Sequence, residues 1–300
     1  MIIETENLTK RFIRHEAVQG VNLRVPQGAA FALIGANGAG KTTLLRMLVN
    51  ILAADSGSSR VLGIDSRRLS YLDYRRIGYV SENAKLPERL TIAQYYDYLR
   101  ALYPSWDIAL ESDLRNRLAL PPTRKLGKLS HGMRMKAMLV GALAFRPPLL
   151  ILDEPLSGLD PLVRDEIMEG LLAQAGETTI VISSHELAEI ENCVTHVAFM
   201  DQGKLLFQES IEDLSARFRE VDVDVSESGH LLNTKLASWL SLESSNRTMR
   251  FVESKFVNDE DLMNKLPAHW GGVQRMETRP MSLREISKAL MRATRAEAKQ

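Results

Sequence analysis

The opening residues IIETENLTKRF alternate apolar and polar positions, as do VNLRVPQG further on, and this period of two predicts a pair of antiparallel strands. AAFALI follows as an unbroken apolar run, the pattern of a strand buried on both faces. It runs into a glycine-rich turn and then KTTLLRMLVNIL, which reads as a helix. RRIGYV is a further strand. From about Thr91 to Phe145 the spacing is helical, in IAQYYDYLRALY and then DIALESDLRNRLAL. Pro147 and Pro148 close that stretch, and LLIL resumes the buried-strand pattern. PLVRDEIMEGLLAQA predicts a helix, TTIVIS a strand, a further helix starts at His185, and VAFMDQGKLLFQ predicts strands joined by a turn. Alternation of strands and helices implies an α/β fold with a parallel sheet, here with a helical insertion in its middle. After about Arg219 the style changes. VDVDV, TMRFVES and VQRMETR predict strands, NDEDLMNKL and MSLREISKALMRA predict helices, and together they suggest a small α+β appendage over 219–300. Ser282 and Glu285 have the spacing of a capping box at the start of the last helix.

Composition narrows the classes. With 300 residues the chain has room for one large domain or two smaller ones, and 45% hydrophobic with 25% charged residues is ordinary globular usage. Lys plus Arg and Asp plus Glu both total 38, so no overall basic field points to nucleic acid. The single Cys193 excludes an intramolecular disulfide and fits a reducing cytoplasm. The N-terminus MIIETENLTKRF is charged early, unlike a signal peptide, and no run reaches eighteen apolar residues, so no self-contained membrane span is expected.

The densest chemistry lies in Gly35-Ala-Asn37-Gly38-Ala39-Gly40-Lys41-Thr42, followed by Thr43, which matches G-x-x-x-x-G-K-[ST] between a buried strand and a helix start. Glycines let the backbone curl so that its N–H groups face phosphate oxygens; Lys41 reaches the terminal phosphates and the Thr42 hydroxyl ligates Mg²⁺. In LLILDEP a buried strand ends in two adjacent carboxylates, which are expensive to bury unless paired or metal-bound. Asp153 suits Mg²⁺, and Glu154 suits orienting or deprotonating an attacking water. His185 stands at the end of TTIVISS, where open α/β sheets bind ligands, though a lone His there is commonly just a satisfied side chain. LSHGM, at Leu129–Met133, is polar and small between helical stretches. It fits either a plain helix cap or a second phosphate-holding turn.

The ordered set IGANGAGKTT, LSHGM, LLILDEPLSGLDP and ISSHE resembles the nucleotide-binding subunit of ABC transporters over roughly residues 1–218. The resemblance implies a P-loop NTPase (RecA-like) α/β core with an antiparallel β subdomain, a helical subdomain at about 85–147, and the appendage beyond. It implies ATP and Mg²⁺ as cofactors, with Ser130, His131, Gly132 and Met133 acting on the ATP of a partner chain. Two chains then pair, a homodimer being favoured over a heterodimer. Phe12 falls where the family stacks an aromatic on adenine; an apolar edge-strand residue is the alternative. Ser157, Gly158 and Asp160 match the loop that communicates between the two sites, though Asp160 before Pro161 is also an ordinary helix start. Tyr95, Tyr96, Tyr98, Tyr103 and Trp106 read as core and interface of the helical insert rather than as a base-stacking platform.

Two positions depart from the family pattern. His131 and Met133 replace the usual Gly and Gln of the signature, which implies function with altered affinity. Glu82, in IGYVSEN, stands where the family carries Gln beside Mg²⁺ and the coupling surface. These departures and the appendage resemble the ABC-2 type exporter group. The expected function is an ATPase subunit at the cytoplasmic face of the cell membrane, driving a separately encoded integral-membrane permease, with no nucleic-acid partner. The alternative is a soluble ABC-type ATPase of translation, repair or cluster assembly. Such translation factors carry two cassettes and the repair types long coiled coils, neither of which this chain has. A P-loop kinase would leave LSHGM unexplained.

Overall fold

The computed structural model describes residues 1–173, 176–186, 190–225, 236, 238–245, 247–266 and 272–297. They form two compact units, Met1–Gln208 and Glu209–Gln300. The division falls earlier than the change of style at Arg219 suggests.

The first unit begins with β1 (Ile3–Phe12), β2 (His15–Val21) and β3 (Arg24–Val25), then β4 (Ala30–Ile34) and α1 (Lys41–Leu48). β5 (Ser56–Val61), β6 (Ile64–Asp65), α2 (Tyr71–Tyr74) and β7 (Ile77–Ser81) follow. The helical insert is α3 (Ile92–Leu102), α4 (Ile108–Arg117) and α5 (His131–Leu143). β8 (Leu149–Asp153), α6 (Pro161–Leu172), β9 (Thr179–Ser184), β10 (His196–Asp201) and β11 (Lys204–Ser210) complete the core, β11 running across the boundary between the units. A five-stranded sheet has the order β2-β1-β5-β6 with β3 also on β1, and its resolved pairings are antiparallel. A six-stranded sheet has the order β11-β10-β4-β9-β8-β7, with β10, β4, β9, β8 and β7 mutually parallel.

α1 lies between these sheets. Leu44, Leu45 and Leu48 are fully buried in one cluster with Ile3, Val18 and Val61 of the antiparallel sheet and Phe31, Ile151 and Val181 of the parallel one. Each such leucine contributes about 2 kcal/mol of apolar burial. The phosphate-loop helix is thereby fixed against both layers.

Three local differences from the sequence pattern have physical causes. The return strand is HEAVQGV rather than VNLRVPQG, because Phe12 pairs directly with His15 and a tight turn at Ile13-Arg14 sets the register; of the later segment only Arg24–Val25 joins β1. α1 stops at Leu48 rather than Leu52, where Asn50 turns left-handed (φ 53°) and Ile51 and Leu52 N–H both donate to Arg46 O. The helical stretch from Thr91 to Phe145 is three helices, interrupted around Pro104 and around Pro121-Pro122. The helix expected from His185 falls largely on 187–189, outside the described residues; Glu191–Cys193 is a single 3₁₀ turn.

Of the insert's aromatics, Tyr96 is core and Tyr95, Tyr103 and Trp106 are half-buried. Tyr96 is fully buried, its hydroxyl donating to Ala137 O at 3.2 Å, while Trp106 Nε1 donates to the buried carboxylate of Glu111 at 3.0 Å. Tyr98 is exposed. No helix among the described residues is long and apolar enough to cross a membrane.

The second unit carries α7 (Ile211–Arg217), β12 (Arg219–Val225), β13 (Trp239–Ser245), β14 (Thr248–Glu253), α8 (Asp259–Lys265), β15 (Val273–Pro280) and α9 (Leu283–Glu297). Its sheet is antiparallel in the order β13-β14-β12-β15. Val221, Val223 and Val225 alternate inward onto Trp239, Met249, Phe251 and Leu262. The buried Glu253 carboxylate accepts from Trp239 Nε1 (3.0 Å), Ser238 Oγ (3.1 Å) and Lys255 N (2.6 Å), which satisfies it without an ion pair. The Ser282–Glu285 capping box forms: Glu285 accepts from Ser282 N (2.8 Å) and Glu285 N donates to Ser282 Oγ (3.3 Å).

Candidate active site

Residues 35–43 turn the chain from β4 into α1. Gly40 stands just before the helix with φ 101°, and a Cβ there would lie 2.2 Å from Ala17 O; at Gly35 a Cβ would lie 2.3 Å from Met200 O. Both positions require glycine because backbone passes too close for any side chain. No side chain caps α1, so its first N–H groups remain available to an anion. Asn37, Gly38, Ala39, Gly40, Lys41, Thr42 and Thr43 line one cavity of about 220 Å³ together with His15, Ala17 and Glu154.

Lys41 is only 5% exposed. Its Nζ donates to Gly35 O at 2.6 Å and Ala36 O at 3.3 Å and pairs with Glu154 Oε1 at 2.9 Å. The ammonium is held at the mouth of the loop by the loop's own carbonyls. His185 Nδ1 donates to the other oxygen, Glu154 Oε2, at 3.0 Å. Burial pushes the Glu154 carboxyl up, but the hydrogen bonds from His185 and Lys41 together outweigh it and hold the group below the usual carboxylate range.

Asp153 and Glu154 are neighbours in sequence with separate partners. Glu154 has a left-handed backbone (φ 53°), which turns the chain out of β8. Asp153 is buried; Thr42 Oγ1 and Ser183 Oγ donate to its Oδ1 at 2.9 and 3.1 Å, and Tyr79 OH and Ser81 Oγ stand 3.5 Å from Oδ2. No Lys or Arg among the described residues pairs with it. A buried carboxylate ringed by hydroxyls without a counter-ion is a set of hard oxygen donors that fits Mg²⁺. Glu82 N donates to Asp153 O at 3.1 Å, which places residue 82 at the same strand ends. Its side chain has no hydrogen-bond or ion-pair partner among the described residues.

Ser183 is one of two site residues that the sequence pattern does not single out. Besides bonding Asp153, its hydroxyl accepts from Glu154 N at 2.9 Å, so one side chain steadies both carboxylate residues. Its only signal in the sequence is its place at the end of TTIVISS, two residues before His185. His15 was missed too: it lines the cavity, and Phe12 does not. Phe12 is 44% exposed at the β1–β2 hairpin and stacks on His15 with centroids 5.6 Å apart.

The signature residues sit elsewhere. Ser130 caps α5, accepting from Met133 N at 3.3 Å, and Met133 Sδ accepts from Arg124 at 3.7 Å. Gly132 packs against α6, where a Cβ would meet Val163 at 3.1 Å. Asp160 caps α6 with Pro161 as its first residue, accepting from Val163 N at 3.1 Å, and Gly158 takes φ 66° just before it. Ser157 N donates to Glu154 O at 3.3 Å. None of Ser130–Met133 lines the phosphate-loop cavity.

Residues 18–157 match the ABC transporter family. The chain is 31% identical to the ABC transporter ATP-binding protein YtrB of Bacillus subtilis (strain 168), over 75% of this chain and 79% of that one. The chain belongs to the ABC transporter family. The bacitracin transport ATP-binding protein BcrA of Enterococcus faecalis is 34% identical, with 75% of each chain covered. The solved structure of an ATP-binding subunit of an ABC transporter matches with a TM-score of 0.65 and 26% identity, over 71% of this chain and 92% of that one. This ABC ATPase thus has the cassette fold expected from its motifs, binds nucleotide, and hydrolyses ATP to drive transport.

Proposed function

We propose that this ABC ATPase works as a head-to-tail homodimer on the cytoplasmic face of the cell membrane and drives a separately encoded permease of the exporter type. The observation that carries the dimer is the separation within one chain: the phosphate-loop cavity holds Lys41 and Glu154, while Ser130–Met133 lie outside its walls. A second chain, turned end for end, brings its own Ser130 turn to the nucleotide. The transport role of BcrA supports a permease as the other partner. A net charge of zero gives no reason to invoke nucleic acid.

Within each site, Phe12 and His15 offer ring faces for the adenine, and the N–H groups of 37–43 and Lys41 bind the phosphates. Thr42 and Asp153 would hold Mg²⁺, with Glu82 beside them; bound there, the ion would neutralise charge on the phosphates. Glu154 takes the position of general base toward water, and His185, bonded to its second oxygen, fixes the carboxylate's orientation. Phosphate arriving at Lys41 competes with Glu154 for the ammonium. Binding of the substrate therefore frees the Glu154 oxygen that pairs with Lys41. Ser157, Gly158 and Asp160 form the connection between the two sites.

The chain purified from native membranes is expected to bring with it an integral-membrane protein with several apolar spans of about twenty residues each. Recovery in the soluble fraction, bound instead to ribosomes, DNA or cluster-assembly proteins, overturns the exporter reading.

Glu82 has its own test. With a carboxylate at the strand ends beside Asp153, Glu82→Gln is expected to keep basal hydrolysis, whereas Glu82→Ala should raise the Mg²⁺ concentration needed for half-maximal rate or uncouple the permease. A Mg²⁺ titration of ATPase rate, with and without the permease, reads both. An alanine variant identical to the parent in rate, metal response and transport makes Glu82 a bystander.

A further inference from the structure

His131 is the residue at which this chain departs from the family's glycine, and the structure gives it a specific contact. Its Nε2 lies 3.1 Å from Ser157 O. A carbonyl only accepts, so Nε2 carries the proton and donates. Ser157 N in turn donates to Glu154 O at 3.3 Å, and the Glu154 side chain is the one bonded to Lys41 and His185. The turn that begins α5 is thus two hydrogen bonds away from the backbone of Glu154. A glycine at 131 has no atom to make the first of them.

Neighbouring contacts join the same elements. Gly132 abuts Val163 of α6, and further along α5 the buried Lys136 pairs with Glu166, also on α6. Asp160 fixes the start of α6 and Gly158 the bend before it. These contacts join the first turns of α5 to α6, and the His131–Ser157 bond adds the loop before α6 to them.

We propose that His131 is a positioning residue: it ties the Ser130–Gly132 turn to Ser157, so that displacement of this turn is passed to Glu154 of the same chain. Resting on the reading that this turn meets the partner's nucleotide, the bond makes Glu154 of one site sensitive to ATP in the other. His131 touches no reacting atom in this role and acts only through the loop.

The test compares His131→Gly and His131→Gln in the full-length protein. Glutamine reaches the same distance and keeps an N–H donor; glycine does not. Steady-state hydrolysis as a function of ATP concentration gives kcat, KM and the Hill coefficient, and a fluorescent ATP analogue gives the affinity of the chain on its own. His131→Gly is expected to lower kcat by about tenfold, the scale of one lost positioning hydrogen bond, and to bring the Hill coefficient toward one. Its own affinity for the analogue should stay within about twofold. His131→Gln should recover most of both losses. Wild-type kcat and cooperativity in the glycine variant overturn the proposal, as does a glutamine variant no better than glycine. Lys41→Ala run alongside separates this failure from a larger one: if that variant turns over ATP at the parent's rate, the assignment of the whole site falls.

Discussion

Lys41→Ala is expected to leave a folded chain whose ATP turnover is lower by at least about a hundredfold. The loss follows from what the ammonium does where it stands. It is buried, it is held by two carbonyls of its own loop, and it is the cation nearest the phosphate cavity that Glu154 shares. Nothing else among the described residues lining that cavity carries a fixed positive charge. The fold should survive, because Leu44, Leu45 and Leu48 seat α1 from below and alanine is a good helix former at the exchanged position. A thermal melt and a circular dichroism spectrum check the fold while a phosphate-release assay checks the rate. The variant also changes the acid limb of stability. In the parent, the lowered Glu154 carboxyl contributes stability that is present above its ordinary unfolded value and is lost as pH falls through its folded value. Without Lys41 one of the groups pulling it down is gone, so the variant should lose less stability on acidification than the parent. Parent-like turnover in Lys41→Ala removes the central assignment.

Glu154→Gln carries the second large effect. Glutamine keeps the size and one acceptor oxygen but cannot take a proton, so hydrolysis should slow by roughly a hundredfold to ten-thousandfold. Binding persists, since the loop, Lys41 and Thr42 are untouched and Lys41 loses its competing carboxylate. ATP then remains between two chains that cannot consume it. The variant is expected to elute as a dimer with ATP and as a monomer without it, with the permease absent. Adding Ser130→Arg should abolish the dimer, because a long side chain is driven against the opposing phosphates, while each chain still binds ATP. Mixing Lys41→Ala with Ser130→Arg chains should restore at most one composite site of the two. A Glu154→Gln chain that stays monomeric with ATP at high concentration shows that LSHGM does not serve a second copy of this chain.

The parts of this site that were legible in the sequence are those the chain writes locally. Residues 35–43 make their turn within nine consecutive positions, so spacing alone announced the loop, and LLILDEP announced two carboxylates at a strand end. What could not be read is which partner each group finds across the sheet. Thr42 and Asp153 are far apart in sequence, as are Ser183 and Glu154, and only the parallel register of β4, β9 and β8 brings them together. His131 and Ser157 are likewise far apart in sequence and meet where Gly132 abuts Val163 at the start of α6. Among the elements, SGSSRV gave no strand signal because serine and glycine have little β preference; β1 supplies the pairing that makes it β5. WLSLESS was missed because its alternation is broken: Ser241 takes φ 50° and the register of β13 shifts between Leu240 and Glu243.

The left-handed backbone at Glu154 has a consequence for how this position can vary. Holding a β-carbon-bearing residue at φ 53° costs about 1 kcal/mol, a cost that glycine would not incur. Folding and the proposed chemistry thus ask for opposite residues at one position: the bend favours the smallest side chain, and a general base calls for a carboxylate. A chain relieved of the need to turn over ATP, such as one half of an unequal pair, would drift at this residue toward a more relaxed and inactive form. In the proposed role in hydrolysis, the Glu154 carboxylate is held against the preference of its own backbone.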